Sequence, residues 1–564
     1  MSPIYDICII GSGAGAGPVI YELSKAGYRV VVLEKGPWYR TKDFTKDEIT
    51  AVRRSVYTPN LKDEPQVIES RNEDGDWEAE STFESGNDFW NGSCVGGSSN
   101  FMSGFFFRMK PGDFRLRSKY GDIPGANVVD WPITYEEMEP WYAKVEEVVG
   151  ISGKVVPHRF QEPRSTPDFP YPPLSVNKVA EALDEASQSL DYEMIPTPRA
   201  ILSQARTRRD ACYYSNFCGS YGCASDAKGS ARVALIREAL LTGNCTVLPN
   251  AKVYHLETDG HHRVKKAWYY DVEGKKQSIT AGIFVVAAQA IETSRLLLMS
   301  KNKEFSQGLA NHHGQVGKNL LFSGGGIGSG LLYRHDFDPE TFEAFMQPGL
   351  FVNRSIHQFY EYEDEETGRK QKGGAIDFLF EHANAMTRAI KQKWGKDDQL
   401  LYGSAYKKRL YRYFTEARKI KFEVFNDWLP TDQCFVQLDP KVRDKWGDPV
   451  ARARVGYHPR DLEVGRYLSA KGAKVLEALG AKNISWSVSG APSSNLQAGG
   501  CRFGKDPKKS VLNPDCRAHE VDNLYVTDGS FMPTGGSVTY TWTIYANAFR
   551  VAQKIIDRLS KSDL

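Results

Sequence analysis

The chain has 564 residues, with 72 Lys and Arg against 70 Asp and Glu, and it is 41% hydrophobic and 25% charged. That length asks for two to four domains rather than one core. A net charge of +2 without a long basic run speaks against a nucleic-acid binder, the lack of any run of 18 apolar residues against a spanning helix, and nine mostly scattered cysteines against a disulfide scaffold.

The N-terminal segment YDICIIGSGAGAGPVIYELSKAGYRVVVLEKG, residues 5–36, reads as strand, tight turn, helix, strand. Ile7–Ile10 is a continuous apolar run, as in a strand buried on both faces. MSPIYDICIIGSG enters that strand at once, with no basic leader and no cleavage site. A cytoplasmic location is therefore expected, with periplasmic export beside a signal-bearing subunit as the alternative. Gly11, Gly13, Ala14 and Gly15 form the turn, and Glu34 and Lys35 end the second strand. Glycines there allow a tight turn and a close approach to a pyrophosphate at the helix N-terminus, while Glu34 can accept from ribose hydroxyls. The segment predicts a dinucleotide site without separating NAD from FAD.

Further along, YKKRLYRYFTEARKIK (406–421) is the most basic stretch and is expected to be the solvated face of a helix. Residues 282–300 read as strand then helix. PRDLEVGRYLSAKGAKVLEALG (459–480) has amphipathic helix periodicity, and residues 523–559 read as strand, glycine loop and long helix. Residues 330–430 are rich in charge and aromatics, carry no interpretable motif, and are expected to cover a pocket. The pieces predict one nucleotide-binding domain assembled from separated stretches, with a second domain inserted.

Three segments carry a family resemblance. NGSCVGGSSNFMSGFFFRMKPGDF (91–114) has a small-residue loop before an aromatic strand, GGCRFGKDPKKSVLNPDCRAHEVDNLYV leads to the last strand, and NLYVTDGSFMPTGGSVTYTWTIYANAFRVA follows. Together with the N-terminal fingerprint they resemble the glucose–methanol–choline (GMC) family of FAD oxidoreductases, nearest the gluconate and sugar dehydrogenase flavoprotein subunits. The resemblance implies an α/β fold: a discontinuous Rossmann-like FAD-binding domain (1–115, 205–325 and 495–564) plus an α+β substrate domain with an antiparallel sheet (116–204 and 326–494). It implies FAD, held by Gly11, Gly13, Ala14, Gly15, Glu34 and Lys35 at the ADP half. Gly96, Gly97, Ser98 and Asn100 would lie along the pyrophosphate and flavin. Val253 would touch the adenine, Ala287, Ala288 and Glu292 would wall the ADP site, Asp528 and Gly529 would meet the ribityl or pyrophosphate, and Thr539 would also contact the cofactor. No histidine in NGSCVGGSSN is available to tether the flavin covalently.

Cys212, Cys218 and Cys223 stand at spacings of six and five residues in CYYSNFCGSYGC. They are candidates for an iron–sulfur cluster of the kind some sugar-dehydrogenase relatives use to pass electrons onward, with buried structural thiols as the other reading.

Alcohol oxidation in this family needs a base for the hydroxyl proton while the hydride goes to flavin. Aligned on GGCRFG, the position of the usual histidine is Leu496, and the partner position in SVTYTWT is Thr539, followed by Tyr540. Neither usual group is present. The catalytic locus is expected around Asn495, Leu496, Thr539 and Tyr540, with Asn495, Gln497, Tyr540 and His458 as candidate replacement bases. The reading is an FAD-dependent oxidoreductase oxidising a small organic substrate. The alternatives are non-alcohol flavin chemistry on an apolar substrate (desaturation, isomerisation or a radical reaction) and an electron-transfer subunit. A small subunit or a cytochrome acceptor is the expected partner.

Overall fold

The computed structural model describes residues 5–49, 56–364, 368–395, 398–491 and 496–561. Its first strand, Tyr5–Ile10, is fully buried over Ile7–Ile9. It pairs in parallel with Val30–Leu33 on one side and Lys276–Val286 on the other. Cys245–Leu248 and Leu524–Val526 extend the parallel sheet at its two edges. The five strands come from widely separated parts of the chain, as the scattered apolar runs predicted. The strand Lys276–Val286 also closes an antiparallel meander with Lys252–Thr258 and Val264–Tyr270.

A second sheet is antiparallel throughout its main path, in the order Lys482–Val488, Gly326–Tyr333, Ala417–Asp427, Gly374–Phe380, Val352–Ile356, Met194–Pro196. Its even-numbered residues Ile420, Phe422 and Val424 pack with Val464, Leu468 and Leu476 of the helix Pro459–Ala478. The opposite face turns toward the first domain. The basic stretch 406–421 departs from the sequence reading here. A helix covers Gly403–Tyr411, but Ala417 begins the strand, so Lys419 and Lys421 sit on a sheet rather than on a solvated helix face. β-pairing with two neighbours overrides the local charge pattern.

A third sheet runs Ala498–Gly500, Lys318–Leu321, Phe435–Arg443, Pro449–Arg454, Val67–Arg71, Trp77–Ser81. It combines stretches that the sequence placed in both domains and so welds them together. The rim motif around Gly499 is thereby a strand, registered against Leu320.

Candidate active site

One cavity of about 1040 Å³ connects the fingerprint turn to the free face of the antiparallel sheet. At its dinucleotide end the turn is shaped by contacts. Gly11 has φ +91°, and a Cβ there would lie 2.3 Å from the carbonyl oxygen of Ala287. A Cβ on Gly15 would lie 2.6 Å from the Asp528 backbone, whereas one on Gly13 would meet nothing within 4 Å. The open side of Gly13 is therefore the cavity, which is where a pyrophosphate needs room.

Glu34 accepts from Ser12 Oγ at 2.5 Å and from the Gly36 N–H at 2.9 Å, leaving acceptor capacity toward the cavity. Burial raises its carboxyl, with Ser12 and Gly36 opposing. Ser12 Oγ also accepts from the Gly96 N–H at 3.0 Å, so one hydroxyl joins the fingerprint to the 91–100 loop. Burial would raise Glu292 too, but Arg295 and Lys35 outweigh it and hold that carboxyl at about 2. Val253, Ala287 and Ala288 line the same end, and Lys35 pairs with Glu64 at 2.9 Å. These features fit an ADP moiety.

Gly97 and Ser98 line the middle of the cavity. Gly96 and Asn100 are not among its lining residues. Asn100 is 3% exposed, and its Nδ2 donates to the carbonyls of Val95 (3.0 Å) and Gly97 (3.1 Å). Both residues brace the loop from behind. Asp528 reaches the cavity beside Gly529 and is already bonded to Thr293 Oγ1 and the N–H groups of Gln289 and Ser530.

At the far end Leu496, Thr539, Tyr540 and Thr541 converge. Leu496 adopts φ +60°, a left-handed backbone unusual for leucine, and packs against the cluster holding Phe105, Phe351 and Phe425. Thr539 Oγ1 donates to the Phe105 carbonyl at 3.1 Å, and Tyr540 is 1% exposed and donates to the Phe322 carbonyl. Burial pushes the Tyr540 phenol well up. The expected replacement bases are thus committed elsewhere. Tyr540 gives its proton to a backbone oxygen, Gln497 Oε1 accepts from Gln289 Nε2 at 2.8 Å, and His458 caps its helix and contacts the Pro124 carbonyl outside the cavity. Asn495 lies outside the described residues.

The helix Thr541–Ser560 begins at this point, with no side-chain cap from Tyr540, so the positive end of its dipole lies at the cavity wall. Gln289, which caps the helix Ala290–Met299 at φ +82°, ties that helix to the rim. Sequence reasoning missed it, and missed the lining residues Lys419, Lys421, Glu423 and His382, because only strand pairing brings them in.

Cys212, Cys218 and Cys223 line one small cleft with Lys46 and Lys228. Among the described residues no group of three His, Cys, Asp or Glu side chains could hold a metal ion, so the iron–sulfur expectation is not supported. The loop is organised instead by Lys228, whose ammonium donates to the carbonyls of Asn100 (3.2 Å), Cys218 (2.7 Å) and Tyr221 (2.8 Å). Burial lowers this lysine to about 8.

A parallel nucleotide-binding sheet, a fingerprint turn that fits ADP and a second sheet closing the same cavity define an FAD-dependent oxidoreductase. GMC oxidoreductase models match residues 79–322 and 430–548. The chain is 30% identical to 2-methyl-1,2-propanediol dehydrogenase of Mycolicibacterium austroafricanum, over 98% of this chain and 96% of that protein. It is 26% identical to the fructose dehydrogenase large subunit of Gluconobacter japonicus, over 83% and 81%. The solved pyridoxine 4-oxidase from Mesorbium loti shares the fold with a TM-score of 0.63 at 18% identity, covering 98% of this chain and 99% of that one. The chain belongs to the GMC oxidoreductase family.

Proposed function

We propose that the protein oxidises a small hydroxyl compound by hydride transfer from the carbinol carbon to non-covalently bound FAD. The observation that supports this most is the continuity of one cavity from Glu34 through Leu496 to the substrate-domain strand Ala417–Asp427. A substrate seated on that strand reaches the redox group without crossing solvent. FAD supplies the two-electron hydride acceptor. The chain's residues supply the rest. Gly11, Gly13, Gly15 and Glu34 hold the ADP half, and the start of the helix Thr541–Ser560 favours negative charge at the other. Phe105, Phe351, Phe425 and Leu496 keep water from the reacting carbon, while Lys419, Lys421, Ser487 and Ser489 offer a polar end for the remainder of the substrate. That polar end favours a polyol or sugar-like molecule over a hydrocarbon. A diol and a sugar in the names of the relatives point the same way, and the naming of one as a large subunit supports a small subunit or cytochrome as electron acceptor.

The test is anaerobic mixing of the purified yellow protein with 2-methyl-1,2-propanediol, D-fructose, D-gluconate and primary alcohols while the visible flavin band is followed. Bleaching by one of them is expected. Bleaching by dithionite with none by any hydroxyl compound removes this reading in favour of non-alcohol flavin chemistry.

A further inference from the structure

We propose that Glu423 is the general base of this reaction, taking the role left empty at Leu496; the assignment rests on the alcohol-oxidation reading above.

Among the described residues five carboxylates line the cavity: Glu34, Glu292, Glu381, Glu423 and Asp528. Four are engaged. Glu34 is bonded to Ser12, Glu292 to Gln66 and Arg295, Glu381 to Tyr413 and Arg388, and Asp528 to Thr293 and Gln289. The Glu423 side chain has no hydrogen bond or ion pair among the described residues. It is half-buried and faces the cavity, so its lone pairs are open to whatever enters.

Its place on the strand puts it near the missing group. Strand alternation sends Ile420 and Phe422 into the helix-backed core and Lys421, Glu423 and Phe425 to the cavity side, with Val424 touching both. Phe425 is one same-face step from Glu423, about 7 Å. Its ring lies 5.6 Å from that of Phe105, whose carbonyl accepts from Thr539, and Leu496 packs on the same cluster. The carboxylate therefore shares the cavity wall with Phe425, two residues along the strand from the aromatic cluster on which Leu496 packs.

The groups around it suit the role. Asp377 stands directly opposite on Gly374–Phe380, and Ile327 opposite on Gly326–Tyr333. Lys421 and Lys419 share the cavity wall, while Glu381, His382 and Arg388 line it from the segment that follows Phe380. Burial raises the Glu423 carboxyl and Lys421 opposes this, leaving a net upward shift, in the direction that improves a carboxylate base. Asp377 is 1% exposed, accepts from Ser355 and does not line the cavity. His382 lies flat on the Phe351 ring, 4.1 Å between centroids, and is the rival candidate.

In the proposed step the substrate O–H bond breaks and its proton passes to the Glu423 carboxylate. The carbinol C–H bond breaks with its electron pair going to oxidised FAD as hydride, and the carbon–oxygen double bond forms. Glu423 then returns the proton to solvent through the cavity mouth.

The experiment uses the FAD-loaded protein and the hydroxyl compound that bleaches it fastest. Glu423→Gln is expected to slow flavin reduction by about 10²- to 10⁴-fold with little change in substrate affinity, and to abolish the fall in rate at acid pH. Glu423→Asp keeps the acid limb and part of the rate, and acetate or formate restores rate to Glu423→Ala. An infrared titration without substrate should show one titrating carboxyl band missing in Glu423→Gln, with flavin content and melting temperature unchanged as folding controls. A Glu423→Gln protein reducing its flavin within a few-fold of the parent with its acid limb intact overturns the assignment. So does a loss confined to affinity, or an acid limb that disappears in His382→Gln instead. Failure of every hydroxyl compound on the parent, with dithionite bleaching intact, sinks the alcohol reading itself and this assignment with it.

Discussion

Leu496 adopts a left-handed backbone, and the neighbouring hydroxyls of Thr539 and Tyr540 are tied to carbonyls. Tyr540→Phe tests that account. Losing the bond to Phe322 leaves a buried carbonyl unpaired, so unfolding free energy should fall by roughly 1–3 kcal/mol while flavin reduction stays within a few-fold of the parent; a collapse of the reduction rate would make Tyr540 the base. The fingerprint glycines separate fit from function in a similar way. Gly15→Ala forces a Cβ to 2.6 Å from the Asp528 backbone and is expected to yield little folded protein. Gly13→Ala meets no protein atom within 4 Å, so the apoprotein should melt as the parent does, yet titration should show weaker FAD binding. Asp377 supplies a pH test. Burial holds its carboxyl at about 7, against about 3.9 in an unfolded chain. Across that window the folded state keeps a proton the unfolded chain has lost, so stability falls as pH rises toward 7 and levels above it. Asp377→Asn should flatten that slope and raise stability at pH 8 by roughly 1–4 kcal/mol, read from denaturant midpoints at several pH values.

Between elements, the loop that opens the C-terminal helix is held by a buried charge network. Lys372 Nζ lies 2.7 Å from Asp113 and 3.1 Å from Asp427, and donates to Ser537 Oγ at 2.7 Å. Tyr360 donates to Asp113 at 2.7 Å. The strand Lys370–Lys372, the turn Pro111–Arg115, the end of Ala417–Asp427 and the loop before Thr541 thus meet at one ammonium. Lys372→Met leaves two carboxylates buried without their cation and should cost about 3–5 kcal/mol, seen as a lower denaturant midpoint. An unchanged midpoint would mean that the pair takes up protons or water at little cost.

On the scale of the whole molecule the cavity is lined from both the parallel and the antiparallel sheet, so FAD bound there would touch both. Ligand that binds only the folded state stabilises it by about 2.7 kcal/mol at 100 times its Kd. Removing FAD should lower the melting temperature, and readdition should restore it in a concentration-dependent way. Denaturation should release the flavin into solution, since no side chain is expected to tether it; flavin that stays with the precipitated chain would contradict the non-covalent reading.

The nucleotide half was legible from sequence because its signals are local. A buried run, a glycine turn and a strand-ending acid lie within 36 residues, and the pairing of Ile7 with Val30 follows from that order. The residues at Leu496 and Thr539 could be read directly, and their assignment to the usual catalytic positions rests on the family resemblance alone. The substrate wall was not. Lys419 and Lys421 read as helix surface until partner strands on both sides turned them inward, and Glu423 carried no signal of its own. The cysteine spacing suggested a metal, whereas a lysine from outside the motif organises that loop. Local chain chemistry determined the family and the glycine-turn end of the cavity. Long-range strand pairing alone decided what faces the substrate, because a side chain's direction on a sheet depends on register with strands that sequence proximity does not reveal.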